Sequence, residues 1–315
     1  MNDSGIPVHQ LPVHELSKRL ENGELTCLEL VENLLARIQK HDPLLGAFID
    51  VYQEDARSTA GAVDMARASG HAIGPLHGIP VAVKDIIDIE GRITTGGSRV
   101  WKDRRSPFTA TLVRKMVEAG MIVMGKTHTV EFALGSFGTN HHMGSPKNPW
   151  DLKEHRATGG SSAGTAASVA SRMAPWGIGT DTGGSVRIPS SWCGLTGLKT
   201  SVGRISVHGV LPLSHTLDTP GPMCRNVEDA AILYHLLAGP DMHDPKTMIH
   251  PVEDPFPTMQ HGISGLKLAR VPDSELEKAD PEILEAYEES LRLLETQGAE
   301  IRGVELPNEN PAIVY

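Results

Sequence analysis

Apolar residues near the N-terminus recur at helical spacing. Leu28, Val31, Leu34, Leu35 and Ile38 stand three or four apart, which places them on one face of a helix. Thr26 followed by Glu29 is a capping-box pair that starts this helix, and Asp42-Pro43 is expected to stop it. The stretch 13–41 is therefore predicted helical. AFIDVY (47–52) reads as a short strand, an alanine-rich helix runs on to about Gly70, and the β-branched run IPVAVK (79–84) after Gly78 is a second strand. Thr109 is placed to cap a helix carrying Leu112, Val113, Met116 and Val117. Gly120 closes it, and MIVM (121–124) follows as buried strand. This alternation predicts an α/β domain with a mixed, mostly parallel central sheet flanked by helices.

Between 135 and 224 the pattern changes. Gly, Ser and Thr dominate GSFGTNHHMGSPKNPWD, RATGGSSAGTAASVASRM and WGIGTDTGGSVRIPSSWCGLTGLK, interrupted by apolar segments such as the strand APWGIG. Small residues at this density let backbones approach closely and leave amide N–H groups able to face a ligand. Helical spacing returns at 226–238 with Asn226 as cap. After a Pro- and His-bearing loop (240–263), GLKLARV (265–271), a helix at 280–296 and AEIRGVEL (299–306) resume the alternation.

Composition narrows the function classes. With 29 Lys+Arg against 39 Asp+Glu the 315-residue chain carries a formal charge of −10, which argues against direct nucleic-acid binding. Cys27, Cys193 and Cys224 are too scattered for a disulfide framework or a zinc cage, so no metal is expected. No apolar run approaches the roughly 20 residues that span a bilayer. The N-terminus lacks a basic-then-apolar leader, so a cytoplasmic location and no membrane partner are expected.

Three motif matches fail on context. GMIVMGKT (120–127) fits the phosphate-loop pattern, yet it follows a helix and its middle residues are themselves strand. Gly160-Ser161-Ser162-Ala163-Gly164 fits the hydrolase elbow, but polar NPWDLKEHRAT stands where that elbow needs an apolar strand. Gly177-Ile178-Gly179 is followed by Thr182 where a dinucleotide fingerprint needs glycine.

A fourth constellation is stronger. Lys84 ends a strand, Ser161 opens a small-residue helix, and Ser185 closes GTDTGGS. Serine needs a base to become a nucleophile, and a lysine serves once burial without a carboxylate partner makes it neutral. Strand alternation puts Lys84 with Pro80 and Ala82 and sends Asp85 to the other face. Thr182-Gly183-Gly184-Ser185 offers consecutive backbone N–H donors for an oxyanion. His141, His142, Met143, Trp176 and Trp192 could shape a pocket, though packing or loop surface accounts for each as well.

Together GIPVAVKD (78–85), NPWD (148–151), GGSSAGTAASVA (159–170), GIGTDTGGSVRIPSSWCGLTGLKTSVGRIS (177–206) and LDTPGPM (217–223) resemble the amidase signature family of Ser–Ser–Lys amide hydrolases over residues 12–240. The resemblance implies Ser185 as nucleophile and Ser161, on a cis peptide, as the proton relay. It implies Lys84 as terminal base, amides of Thr182, Gly183, Gly184 and Ser185 as oxyanion hole, and Ser162, Asp181 and Arg187 as support. It further implies hydrolysis of a small carboxylic amide to acid and ammonia or amine, without a cofactor. Ala163 stands where the family usually has glycine. Family members run longer than this chain, so 1–315 is expected to be a single domain truncated at its C-terminal end. The segment THTVEFALGSFGTN (127–140) departs from the pattern of transfer-RNA amidotransferase A subunits, which favours a stand-alone amidase. That glutamine-dependent A subunit, with partner subunits, remains one alternative. An inactive fragment acting as a binding protein is another, and a homo-oligomer stays open.

Overall fold

The structure is a computed structural model that describes residues 6–249, 251–252 and 254–305. It divides into two compact units, Met1–Glu253 and Asp254–Tyr315.

The first unit begins with α1 (Val13–Glu21) and α2 (Cys27–Leu45), followed by β1 (Phe48–Val51), α3 (Gln53–Ala68) and β2 (Pro80–Lys84). Then come α4 (Thr111–Glu118), β3 (Ile122–Thr127), α5 (Ala163–Ala170), β4 (Gly177–Asp181) and α6 (Arg187–Cys193). β5 (Thr196–Gly197), β6 (Thr219–Cys224) and α7 (Val227–Leu237) complete it. The capping box forms at Thr26 and Glu29 as the sequence predicts. The helix it starts runs past Pro43 to Leu45, however, and Gly46 in the left-handed region ends it. A proline in the last turn removes a single hydrogen bond, and the Asp42 carboxylate holds the exit by accepting the N–H groups of Ala47 and Phe48. Leu30, Val31, Leu34, Leu35 and Ile38 are buried while Leu28 is exposed. Each fully buried leucine contributes about 1.5–3 kcal/mol. Ala110, not Thr109, is the N-cap of α4, because Thr109 spends its hydroxyl on Glu90 N–H.

The sheet is mixed and six-stranded, in the order β1-β3-β2-β4-β6-β5. Its centre, β3-β2-β4, is parallel, and antiparallel pairs flank it on both sides. β6 is a strand the sequence pattern conceals, since Pro220 and Pro222 lie within it. The small-residue helix α5 packs across β2, β3 and β4. That approach depends on Gly164, where an added Cβ would collide with the carbonyl oxygen of Ala47 and the amide of His128.

The second unit is a strand–helix–strand fold. β7 (Lys267–Arg270) pairs in parallel with β8 (Glu300–Gly303), and α8 (Asp273–Leu276) and α9 (Pro281–Thr296) lie between them in sequence. Asp280 caps α9 ahead of Pro281, and Tyr287 on α9 accepts the N–H of Val271. No described helix is long and apolar enough to cross a membrane.

Candidate active site

Parallel strands place their C-terminal ends on one side of a sheet, and Lys84 and Asp181 are the last residues of β2 and β4. In register, Lys84 stands opposite Thr127, whose hydroxyl is 2.7 Å from that of Thr165 on α5. Lys84 therefore faces the serine-bearing helix. Its amino end is sealed from solvent, with Nζ 2.7 Å from Ser161 Oγ and 2.8 Å from Thr180 Oγ1. No carboxylate pairs with it among the described residues. Burial drives the Lys84 pKa down to about 7, even though the charges of Asp181 and Asp218 pull it up. A neutral amine in this position donates to Thr180 and offers its lone pair to the hydroxyl proton of Ser161.

Ser161 follows a cis peptide bond from Gly160. Its carbonyl accepts the N–H of Val130, and the N–H of the next residue, Ser162, donates to the carbonyl of Ser185 at 3.3 Å. That bond ties the loop bearing Ser185 to the start of α5. The Ser185 side chain makes no hydrogen bond among the described residues and keeps about 9% of its surface exposed. It is the one hydroxyl of the three-residue set that reaches solvent. Ser162 is fully buried, and its Oγ donates to the carbonyl and accepts the N–H of Thr180. No histidine hydrogen-bonds it among the described residues, so the elbow pattern at 160–164 has no base.

Asp181 shapes the loop that follows β4. Its Oδ1 accepts Gly184 N–H at 2.8 Å and Arg187 Nη2 at 3.0 Å. Its Oδ2 accepts from the backbone of Val186 and Arg187 and from Arg187 Nε. Burial raises this carboxyl, but the Arg187 and Val186 hydrogen bonds outweigh burial and leave its pKa lowered. The loop is thus wrapped around an ionised carboxylate. One consequence departs from the sequence expectation: Gly184 N–H is directed at Asp181 and not outward. The amides of Gly183, at the surface, and of Ser185 have no partner among the described residues. Thr182 Oγ1 donates to Asp218 at 2.5 Å, and Asp218 also accepts the N–H groups of Leu213 and Ser214.

Sequence reasoning missed Thr180 and Asp218, which bracket Lys84 and Thr182. Alternation along β4 was the available signal for Thr180, because Asp181 beside it turns to the other side. Trp176 is core, Trp192 stacks edge-on with Phe137 at 5.7 Å, and His142 faces Glu131 at 3.5 Å. The larger surface cavity, about 810 Å³, is bordered by Ile122 and Val123 at the opposite end of β3 and is not part of this site. A smaller one, about 270 Å³, reaches Asp218 beside His208 and His243. Among the described residues no three His, Cys, Asp or Glu side chains gather as metal ligands.

Comparison with known proteins identifies the family to which the chain is similar. A family model described as Amidase matches residues 29–314. The A subunit of glutamyl-tRNA(Gln) amidotransferase from Halorhodospira halophila is 41% identical over 306 residues, covering 97% of this chain and 63% of that protein. The peptide amidase of Stenotrophomonas maltophilia superimposes with a TM-score of 0.86 at 36% identity, over 96% of this chain and 63% of that one. The A subunit of glutamyl-tRNA(Gln) amidotransferase from Thermotoga maritima does so with a TM-score of 0.80 at 35% identity and the same coverage. The chain spans about 63% of the length of these relatives.

Proposed function

The chain belongs to the amidase family, and from that premise we propose that it hydrolyses a small carboxylic amide through an acyl-serine intermediate. The observation that carries the reading is the sealed Lys84 amine, 2.7 Å from Ser161 Oγ and without a carboxylate partner among the described residues. In this reading Ser185 Oγ attacks the amide carbonyl carbon while its proton moves to Ser161 and the Ser161 proton moves to Lys84 Nζ. The oxyanion of the tetrahedral intermediate accepts the N–H groups of Gly183 and Ser185, donors of a kind worth several kcal/mol. Gly184 contributes by fixing the loop through Asp181. Collapse requires protonation of the leaving nitrogen, and the Lys84 ammonium returns its proton through Ser161 to do so. Water then attacks the acyl-Ser185 ester along the same relay. The reaction needs no cofactor, and a cytoplasmic setting without a membrane or direct nucleic-acid contact belongs to the same reading.

The test is a fluorophosphonate reagent followed by peptide mass spectrometry. A single adduct on Ser185, lost in Lys84→Ala, is the expected result. An adduct on Ser162, or none, defeats the proposal.

A second reading is favoured by the names of two relatives: the Halorhodospira and Thermotoga proteins are both amidotransferase A subunits. Under it, the amide is glutamine and the ammonia passes to a partner subunit. Glutaminase activity that appears only with a co-purifying subunit distinguishes it from the stand-alone amidase.

A further inference from the structure

Lys84 has an immediate neighbour that ought to spoil it. Asp85 is fully buried, one residue along the chain, and an unpaired carboxylate there would favour the ammonium form of Lys84. The ladder continues through Asp85, whose N–H donates to Thr127 O, so its side chain leaves on the face opposite Lys84. There it meets a second buried lysine. Lys126, in register with Val83 on β2, lies on that same far face, with Nζ 2.8 Å from Asp85 Oδ1. The other carboxylate oxygen accepts the N–H and hydroxyl of Thr95. Lys126 also donates to Thr94 Oγ1, which is 2.9 Å from Ser106 Oγ. Ser106 donates to Asp88, and Asp88 holds Arg104 in a two-pronged pair. Charges thus alternate along a chain of side chains leading away from Lys84.

Stability alone does not account for such a pair. Replacing a buried ion pair by packed apolar groups is often neutral or stabilising, because two desolvated charges seldom gain more than they lose.

We infer that the Asp85–Lys126 pair is a positioning element of the site: Lys126 holds the carboxylate on the far face of the sheet and leaves Lys84 without an anionic partner, free to take the serine proton. The inference rests on the reading of Lys84 as base. The other charged groups around Lys84 are already committed. Asp181, from β4, is bound to Arg187, and Asp218, ahead of β6, is bound by Thr182 and two backbone amides. His128, just after β3, is buried and kept neutral by that burial despite the charge of Asp85. Tyr52, also close to Asp85, is a buried phenol held protonated by desolvation.

The experiment follows fluorophosphonate labelling of Ser185 by intact mass from pH 5 to 9 in the wild type, Lys126→Met, Asp85→Asn and the double variant. Lys126→Met leaves an anion beside Lys84, so the midpoint of the rise in labelling rate moves up by about one pH unit or more. Asp85→Asn removes the carboxylate and leaves Lys126 buried without its partner, where burial takes its proton as it does that of Lys84, so the midpoint stays close to the wild type. The double variant returns close to the wild type. A purely structural pair lowers the plateau rate and leaves the midpoint of Lys126→Met where the wild type has it, and that result overturns the inference, as does a double variant that keeps the Lys126→Met shift. If Lys126→Met does not accumulate as folded protein, Lys126→Gln decides the matter, since its amide keeps a donor toward Asp85 without the charge, and an unshifted midpoint there overturns the inference. A wild type that is unlabelled, or labelled at a rate independent of pH, defeats the reading of Lys84 as base instead.

Discussion

Asp181→Asn removes one negative charge with almost no change in shape, and the hydrogen bonds around it set the cost. The amide has one acceptor and one donor where the carboxylate has two acceptors. If its oxygen takes the Oδ2 position, it keeps Val186 N, Arg187 N and Arg187 Nε, and its NH2 group then opposes Gly184 N–H and Arg187 Nη2. The reverse orientation sets the NH2 against three donors, so the first is the cheaper. A buried N–H left without an acceptor costs about 1–3 kcal/mol, and a lost charge-assisted bond adds about 1 kcal/mol when water can replace part of it. The Arg187 side chain is exposed enough for that replacement, at 53%. The total is about 2–4 kcal/mol, spread over the loop that carries Ser185. An opposing effect exists, because Asp181 also raises the Lys84 pKa and its loss favours the neutral amine. At pH 8 that effect is small, since Lys84 with a pKa of about 7 is already mostly neutral. Fluorophosphonate labelling of Ser185 at pH 8 is therefore expected to slow about 30-fold or more. The Tm is expected to fall by about 4 °C or more. Labelling within threefold of the wild type together with an unchanged Tm refutes the role assigned to this carboxylate.

Two further outcomes follow from the packing. Gly164→Ala should lower the urea midpoint, because the helix-propensity gain of about 1 kcal/mol is smaller than the about 1–3 kcal/mol of overpacking against backbone that cannot swing aside. A higher midpoint would show that α5 is not held this tightly to β3. All three cysteines are buried; burial pushes the Cys27 and Cys193 thiols up to about 12 and raises the Cys224 thiol as well. A disulfide reagent at pH 8 should therefore leave the native protein unmodified and react with three thiols in guanidinium, whereas rapid native reaction would contradict the core assignment.

The residues that carry the proposed chemistry were legible in the sequence because their surroundings are local. GIPVAVKD gives both the strand and its two faces, and the glycine-rich runs around Ser161 and Ser185 announce close backbone approach. The structure adds that Lys84, Ser161 and Ser185 are brought into one neighbourhood, with Ser185 tied in through its backbone. What stayed hidden is long-range. Lys126 sat inside a false phosphate-loop pattern, and nothing in GMIVMGKT reveals that its partner is Asp85 on the neighbouring strand. Asp181 and Arg187 were marked as support, yet the direction of Gly184 N–H depends on how the loop folds back over the carboxylate. β6 escaped because Pro220 and Pro222 argue against a strand. It forms because an antiparallel partner, β4, needs only alternate N–H groups from it. The exit of α2 was misjudged for the opposite reason, since proline in a last turn is far less disruptive than proline in a helix interior.

The account depends on an amine that loses its proton near neutrality inside a folded protein. Lysine labelled with carbon-13 at Cε, titrated by NMR with the Lys84 resonance assigned from its loss in Lys84→Met, measures that directly. A midpoint near 7, well below the usual 10.5, is the predicted result. A Lys84 resonance that stays in its protonated position beyond pH 9 would contradict it.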